Sequence, residues 1–154
     1  MSVPIVLFVY NRPKHLEQTL NSLKREKKLS KIYFFIDGPK KNTDQKQINK
    51  CIDLIKKVDW VKKETIIQNV NIGLKKTLLI SSKYVFEKRN HNFIIYLEDD
   101  NIVLPGFYEY RNLSSKKFKL KKEIFSVTGY NFLLSNDEYK SITGDHFFLN
   151  YGNT

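Results

Sequence analysis

Apolar and polar positions fall into blocks along this chain. Five short runs rich in Ile, Val, Phe and Tyr occupy Val3–Tyr10, Lys31–Asp37, Glu64–Gln68, Phe93–Glu98 and Glu123–Thr128, starting 28, 33, 29 and 30 residues apart. Each is nearly continuous in apolarity, as a strand buried on both faces should be. Helical spacing fills the gaps. Pro13 suits a first helical position, and Leu16, Leu20 and Leu23 follow it at i, i+4 and i+7. Ile48, Ile52, Ile55 and Val58 form a second stripe, with Cys51 and Leu54 beside it. A third helix is predicted over Leu74–Lys88, with Leu74, Leu78, Tyr84 and Val85 inward, and a fourth over Pro105–Lys117, opening at its Pro. Strand–helix alternation at this period predicts crossover units. The expected fold is therefore α/β, a mostly parallel Rossmann-like sheet with helices on both faces. Beyond about Gly129 the rhythm stops, leaving loop and one short strand at His146–Asn150.

Length and composition narrow the class. At 154 residues the chain reads as one domain, with enough core to need no disulfide or metal staple. Hydrophobic residues at 41% and aromatics at 14% are too many for a disordered chain. A single Cys excludes a disulfide framework and a Cys-based zinc site. Val3–Tyr10 lacks a basic leader and runs into Asn11-Arg12-Pro13, so it is not read as a signal peptide, and no run reaches the roughly 20 residues of a membrane helix. The expectation is a soluble, cytoplasmic protein.

Charge raises a different possibility and then lowers it. The net charge is +11, yet 23 of the 27 basic residues are Lys and only four are Arg. Base readout and bidentate phosphate clamping favour Arg, and no nucleic-acid-binding signature is present. A nucleic-acid partner is therefore not expected, and a basic surface-binding protein is kept only as an alternative. The densest cluster, Lys116-Lys117-Phe118-Lys119-Leu120-Lys121-Lys122, is either a solvated helix end or a peripheral contact with an anionic membrane face.

Ligands of open α/β sheets gather outside the carboxyl ends of the strands, so the residues after each run matter most. The first run ends in Asn11-Arg12, the second in Asp37-Gly38-Pro39, the third leads to Asn71-Ile72-Gly73, and the fourth ends in Glu98-Asp99-Asp100. Three adjacent carboxylates repel one another, which a structural role does not require. They suit a hard divalent cation held by one or two carboxylates, with a diphosphate completing its shell; the plain alternative is an acidic turn paired with Lys. Asp37 can accept hydrogen bonds from a base or ribose, or merely form an Asp-Gly turn. Arg12, beside Asn11, can clamp a phosphate or cap a carboxylate. Asn71 and Gly73 open the third helix, where free amides favour an anion, and Lys75 and Lys76 add charge. His15, His91 and His146 have no metal-ligand spacing, and Cys51 reads as a buried thiol.

Taken together, these segments resemble GT-A-type nucleotide-sugar glycosyltransferases, especially a group of bacterial sugar transferases. The similar pieces are Pro4–Pro13, Phe35–Pro39, Asn71–Leu74, Tyr96–Asp100 and Ser126–Tyr130, in the family's order over nearly the whole chain. The Glu-Asp-Asp triplet is also similar to the acidic motif of eukaryotic transferases that add N-acetylglucosamine. The resemblance implies that Asp37 binds the nucleobase, Arg12 lies near the diphosphate, Glu98 and Asp99 contact sugar and ribose, and Asp100 coordinates Mn²⁺ or Mg²⁺. It implies a nucleoside-diphosphate sugar as donor, a UDP-sugar first, and a glycan or lipid-linked acceptor. Where the family often has an Arg after the Asn-x-Gly turn, this chain has Lys75 and Lys76. Family members continue through an acceptor-binding half that supplies the catalytic base, so residues 1–154 are expected to be the donor-binding half of a shortened transferase, and no catalytic base is assigned. A non-catalytic nucleotide-sugar-binding module is the alternative reading.

Overall fold

The computed structural model describes residues 3–129. Four strands, β1 (Ile5–Val9), β2 (Ile32–Ile36), β3 (Lys63–Ile67) and β4 (Ile95–Glu98), form one sheet in the order β3-β2-β1-β4. All three pairings are parallel, with Ile5 opposite both Ile32 and Ile95, and Ile32 opposite Lys63. The central strands β1 and β2 are buried throughout, while β3, at one edge, alternates between partly buried and exposed positions. Unbroken apolar runs go to the middle of the sheet because both of their faces meet helices.

One face is covered by α1 (Pro13–Lys24), α2 (Asp44–Lys56) and α4 (Phe107–Lys117). Leu16, Leu20 and Leu23 of α1 and Ile48, Cys51 and Ile55 of α2 pack there on Ile5, Leu7, Ile32, Phe34 and Leu97. On the other face Val6, Phe8, Tyr33 and Phe35 meet Tyr84 and Val85, which lie in a π-helical turn, Tyr84–Lys88, continuing α3 (Leu74–Lys83). The fold is thus α/β with helices on both faces, as the spacing predicts.

Three expectations need correction. Only the second half of the stripe proposed for the third helix faces inward: Val85 is buried and Tyr84 packs on the core. Leu74 and Leu78 are 48% and 39% exposed, whereas Thr77 and Ser81 are buried. Their hydroxyls donate to their own helix, to the carbonyls of Gly73 (3.0 Å) and Leu78 (2.9 Å), so they enter the interior with their polar groups satisfied. The fourth helix opens at Phe107 after Gly106, not at Pro105. Glu123–Thr128 is not a strand, and Phe125 is fully exposed; β-branched and aromatic content makes a strand only where a neighbouring strand takes up its backbone groups. The strand expected at His146–Asn150 lies outside the described residues.

Candidate functional site

The strand order decides where a site can form. From β1 the chain runs outward through β2 to β3, then returns to place β4 on the other side of β1. The crevice between the carboxyl ends of β1 and β4 is therefore the topological switch point of the sheet. Tyr10-Asn11-Arg12 leaves β1 there, and Glu98-Asp99-Asp100 closes β4. A cleft of about 290 Å³ opens over these ends, lined among others by Arg12, Asp37, Asn71, Gly73, Glu98 and Asp99.

On the β4 side Asp99 is buried, while Glu98 and Asp100 are exposed; the strand ends at Glu98, and Asp99-Asp100 form a turn closed by the Asn101 amide on the Glu98 carbonyl (3.1 Å). Asp99 has no free carboxylate oxygen. Oδ2 accepts the Tyr10 amide (3.0 Å), and Oδ1 accepts Arg12 Nη2. Arg12 Nη1 donates to Asp100 Oδ2 at 2.7 Å. The fork of Arg12 thus spans both aspartates. Burial lowers its pKa, but Asp99 and then Asp100 outweigh that and leave it raised. The Asp99 carbonyl accepts Thr19 Oγ1 at 2.9 Å, tying the acidic turn to α1.

On the β2 side Asp37 is the centre of a different network. Oδ1 accepts the amides of Gly38 (3.0 Å) and Ile72 (2.9 Å), and Oδ2 accepts the Gly73 amide (2.9 Å) and Asn71 Nδ2 (2.9 Å). Four donors fill the roughly four acceptor positions of a carboxylate. The Asn71–Gly73 loop is fastened to the end of β2 by this one side chain. Gly38 allows the approach, since a Cβ there would lie 2.4 Å from the Val70 carbonyl carbon. Gly73, at φ 79° and ψ 158°, occupies backbone space that suits only glycine.

Asn11 turns elsewhere. Its Nδ2 donates to Asp44 Oδ1 (2.9 Å), and Asp44 also accepts from the Tyr10 hydroxyl (2.7 Å) and the amides of Lys40 (3.2 Å) and Lys41 (2.8 Å). These bonds, the Tyr10 hydroxyl foremost, hold the Asp44 carboxyl down to about 2. Tyr10 lines the cleft, and Asp44 holds it there through its hydroxyl; the sequence shows Tyr10 as the end of an apolar run and nothing that sets Asp44 apart. Asn11 borders a larger groove of about 690 Å³ between α1 and α2, which shares Arg12 with the cleft. Lys75 and Lys76 are exposed on α3 and line neither cavity. The structure therefore brings Arg12, Asp37, Asn71, Gly73, Glu98 and Asp99 to one cleft, with Asp100 beside it on Arg12.

Among the described residues no group of three or more His, Cys, Asp or Glu is placed to hold a metal by itself. The donors fit a narrower case. Asp100 is a half-exposed carboxylate already carrying a cation, the Arg12 guanidinium, and hard divalent ions bind through one or two such oxygens when phosphates complete the shell.

Neither a family model nor a curated protein matches the sequence. Solved structures do. Residues 1–349 of S. aureus TarS align over 77% of this chain with a TM-score of 0.55 at 13% identity. The same protein in complex with UDP-GlcNAc gives 0.55 at 13%, and in complex with UDP 0.52 at 14%, each over 77% of the chain. The fold of this chain is like that of the N-terminal part of TarS. The chain spans 33% of the TarS 1–349 structure and 20% of the longer TarS structure. At this identity the likeness is one of fold.

Proposed function

We propose that this chain binds a nucleoside-diphosphate sugar at the β1/β4 crevice and belongs functionally with the glycosyltransferases. The observation that carries the reading is the convergence, at the switch point of a glycosyltransferase-like sheet, of the Arg12–Asp99–Asp100 cluster with the Asp37-fastened Asn71–Gly73 loop. UDP-GlcNAc and UDP are ligands of the structural neighbour TarS, which makes a UDP-sugar the first donor to test. Asn71 and Gly73 present the nucleoside side of the cleft, held still by Asp37. Arg12 stands at the start of α1, whose first turn carries no acidic residue, and its guanidinium favours a diphosphate. Asp100 is the residue to hold Mn²⁺ or Mg²⁺, and the metal would offset charge developing on the departing diphosphate. Glu98 extends from the end of β4 towards the sugar. The acceptor proposed is a glycan or a lipid-linked sugar, with Lys116–Lys122 resting on an anionic, cytoplasm-facing membrane surface.

A second reading, donor binding without transfer, draws on one observation. Of the carboxylates lining the cleft, Asp37 accepts four hydrogen bonds and Asp99 is held at both oxygens, so both serve the fold, and Glu98 is the one without such a role. Calorimetric titration with UDP, with and without Mn²⁺, beside Asp100→Ala tests the first step. Mn²⁺-dependent binding lost in the variant supports the donor site; no binding by folded protein across UDP, GDP, CDP and dTDP removes it. Release of UDP from UDP-sugar then separates transferase from module.

A further inference from the structure

The pairing of Arg12 with two aspartates of unequal burial has a consequence for how ligands enter. Asp99 is 2% exposed and anchored at both oxygens, whereas Asp100 is 39% exposed and Arg12 40%. One limb of the guanidinium is therefore fixed against a buried charge that needs it, because an unpaired buried carboxylate is costly. The other limb holds a half-exposed carboxylate in an ion pair of the weak kind. By charge count, Arg12 balances Asp99 and leaves Glu98 and Asp100, two negative charges, for one divalent cation.

We propose that Arg12 is an exchangeable counter-ion: Nη1 holds Asp100 while no nucleotide is bound, and passes Asp100 to a divalent cation as a nucleoside diphosphate arrives, turning to the phosphates while Nη2 stays on Asp99. This rests on the donor-site reading above. The exchange makes metal and nucleotide binding mutually dependent. A metal arriving alone must break an ion pair and sit beside a displaced cation; with a diphosphate present, both cations have an anion to meet. Linkage then requires each ligand to tighten the other by the same factor.

The test is Mn²⁺ alone, titrated into the full chain and followed by the EPR signal of free Mn²⁺, for wild type, Arg12→Gln and Asp100→Asn. Removing the competing limb should tighten Mn²⁺ binding about fivefold in Arg12→Gln, the size of one half-exposed ion pair. Mn²⁺ binding should be lost in Asp100→Asn, and UDP affinity in the presence of Mn²⁺ should fall about tenfold in Arg12→Gln, since one charge-assisted phosphate contact goes. If Arg12→Gln does not fold, Arg12→Lys serves, because an ammonium keeps the charge for Asp99 but cannot bridge both carboxylates; the same tightening is expected. Mn²⁺ binding no tighter in the variant than in wild type overturns the exchange even where wild type binds UDP. Failure of wild type to bind any nucleoside diphosphate overturns the donor reading, and the exchange with it.

Discussion

Asp37 offers the sharpest separation between a residue that touches ligand and one that builds the place where ligand sits. The isosteric change Asp37→Asn keeps the shape but turns one acceptor oxygen into an NH₂ group. Whichever way the amide faces, two of the four donors now meet hydrogens: the Gly38 and Ile72 amides on one side, or the Gly73 amide and Asn71 Nδ2 on the other. Two hydrogen bonds to a charged acceptor are lost at about 1.5–3 kcal/mol each, so the expected loss of stability is about 3–6 kcal/mol. Against a total of roughly 5–15 kcal/mol this is a large share. For a chain of this size it lowers the melting temperature by about 10 °C, at roughly 2–4 °C per kcal/mol. The assay is a melt by circular dichroism without nucleotide, with hydrogen exchange at the Ile72 and Gly73 amides as a local readout. A variant melting within about 2 °C of wild type, with those amides still protected, would refute the fastening role and return Asp37 to the nucleobase contact that the family resemblance implies.

Gly38→Ala should be at least as damaging, because the new methyl meets Val70 backbone at 2.4–2.6 Å, and backbone cannot rotate aside; the urea midpoint should fall by an amount equivalent to about 3 kcal/mol, and an unchanged midpoint would contradict the packing. Glu64 gives a pH signature. Burial raises its pKa, but bonds from Lys31, Tyr84 and Arg89 outweigh that and hold it near about 2. Its contribution is therefore complete above the ordinary glutamate range and lost as pH falls from about 4.5 towards 2. Glu64→Gln should cost most near pH 7, and the difference from wild type should shrink steadily below about pH 4.5 and nearly vanish only by about pH 2 in urea titrations; a constant difference would exclude the linkage. Cys51 is buried, and burial, helped by the Asp99 charge, pushes its thiol up to about 12. It should resist a disulfide reagent at pH 8 in the native protein and react fully in denaturant; reaction at the free-thiol rate in native protein would show that the α1–α2 layer opens.

How far the fold was legible depends on what each segment answers to. β1, β2 and β4 fall inside the predicted runs, because an unbroken apolar run bounded by turn residues has few other places to go, whereas β3 begins one residue early at Lys63 and its mixed sequence takes the sheet edge. The helix stripes on α1 and α2 were equally readable, since Leu16, Leu20, Leu23, Ile48 and Ile55 are all buried, although α1 buries Thr19 and Ser22 beside them. On α3 the rule failed for a local reason. Leucine at 74 and 78 looks like an inward face, but Thr77 and Ser81 reach carbonyls one turn back and can be buried without loss. Glu123–Thr128 has strand composition, and only the sheet could show that no ladder receives it. At the site, residue types and strand ends were visible, whereas partners were not. Asp37 meets Ile72 and Gly73, and Arg12 meets Asp100, across 35, 36 and 88 positions of sequence. Each side chain is consistent with two occupations from the sequence, and the structure adds the protein partners that each one holds.

The two sides of the cleft differ in kind, and the difference bears on what a ligand would experience. The β2 side is finished before any ligand comes: one carboxylate with four donors, a glycine pressed on backbone, and a helix start held in position. Such a wall offers shape and a fixed set of remaining groups, the conditions for discriminating among bases with little reorganisation. The β4 side is electrostatically complete but only loosely so, since half of its ion-pair fork lies at the surface. There a ligand must replace an existing partner, and the gain depends on what it brings, a cation for Asp100 and an anion for Arg12 together. A nucleoside alone would satisfy the first wall and leave the second pair closed. A diphosphate without metal would draw Arg12 but strand Asp100 beside Glu98. On the proposed donor-site reading, only a ligand that brings both charges would resolve every group in the crevice, so a metal-complexed nucleoside diphosphate is expected to bind there more tightly than either component alone.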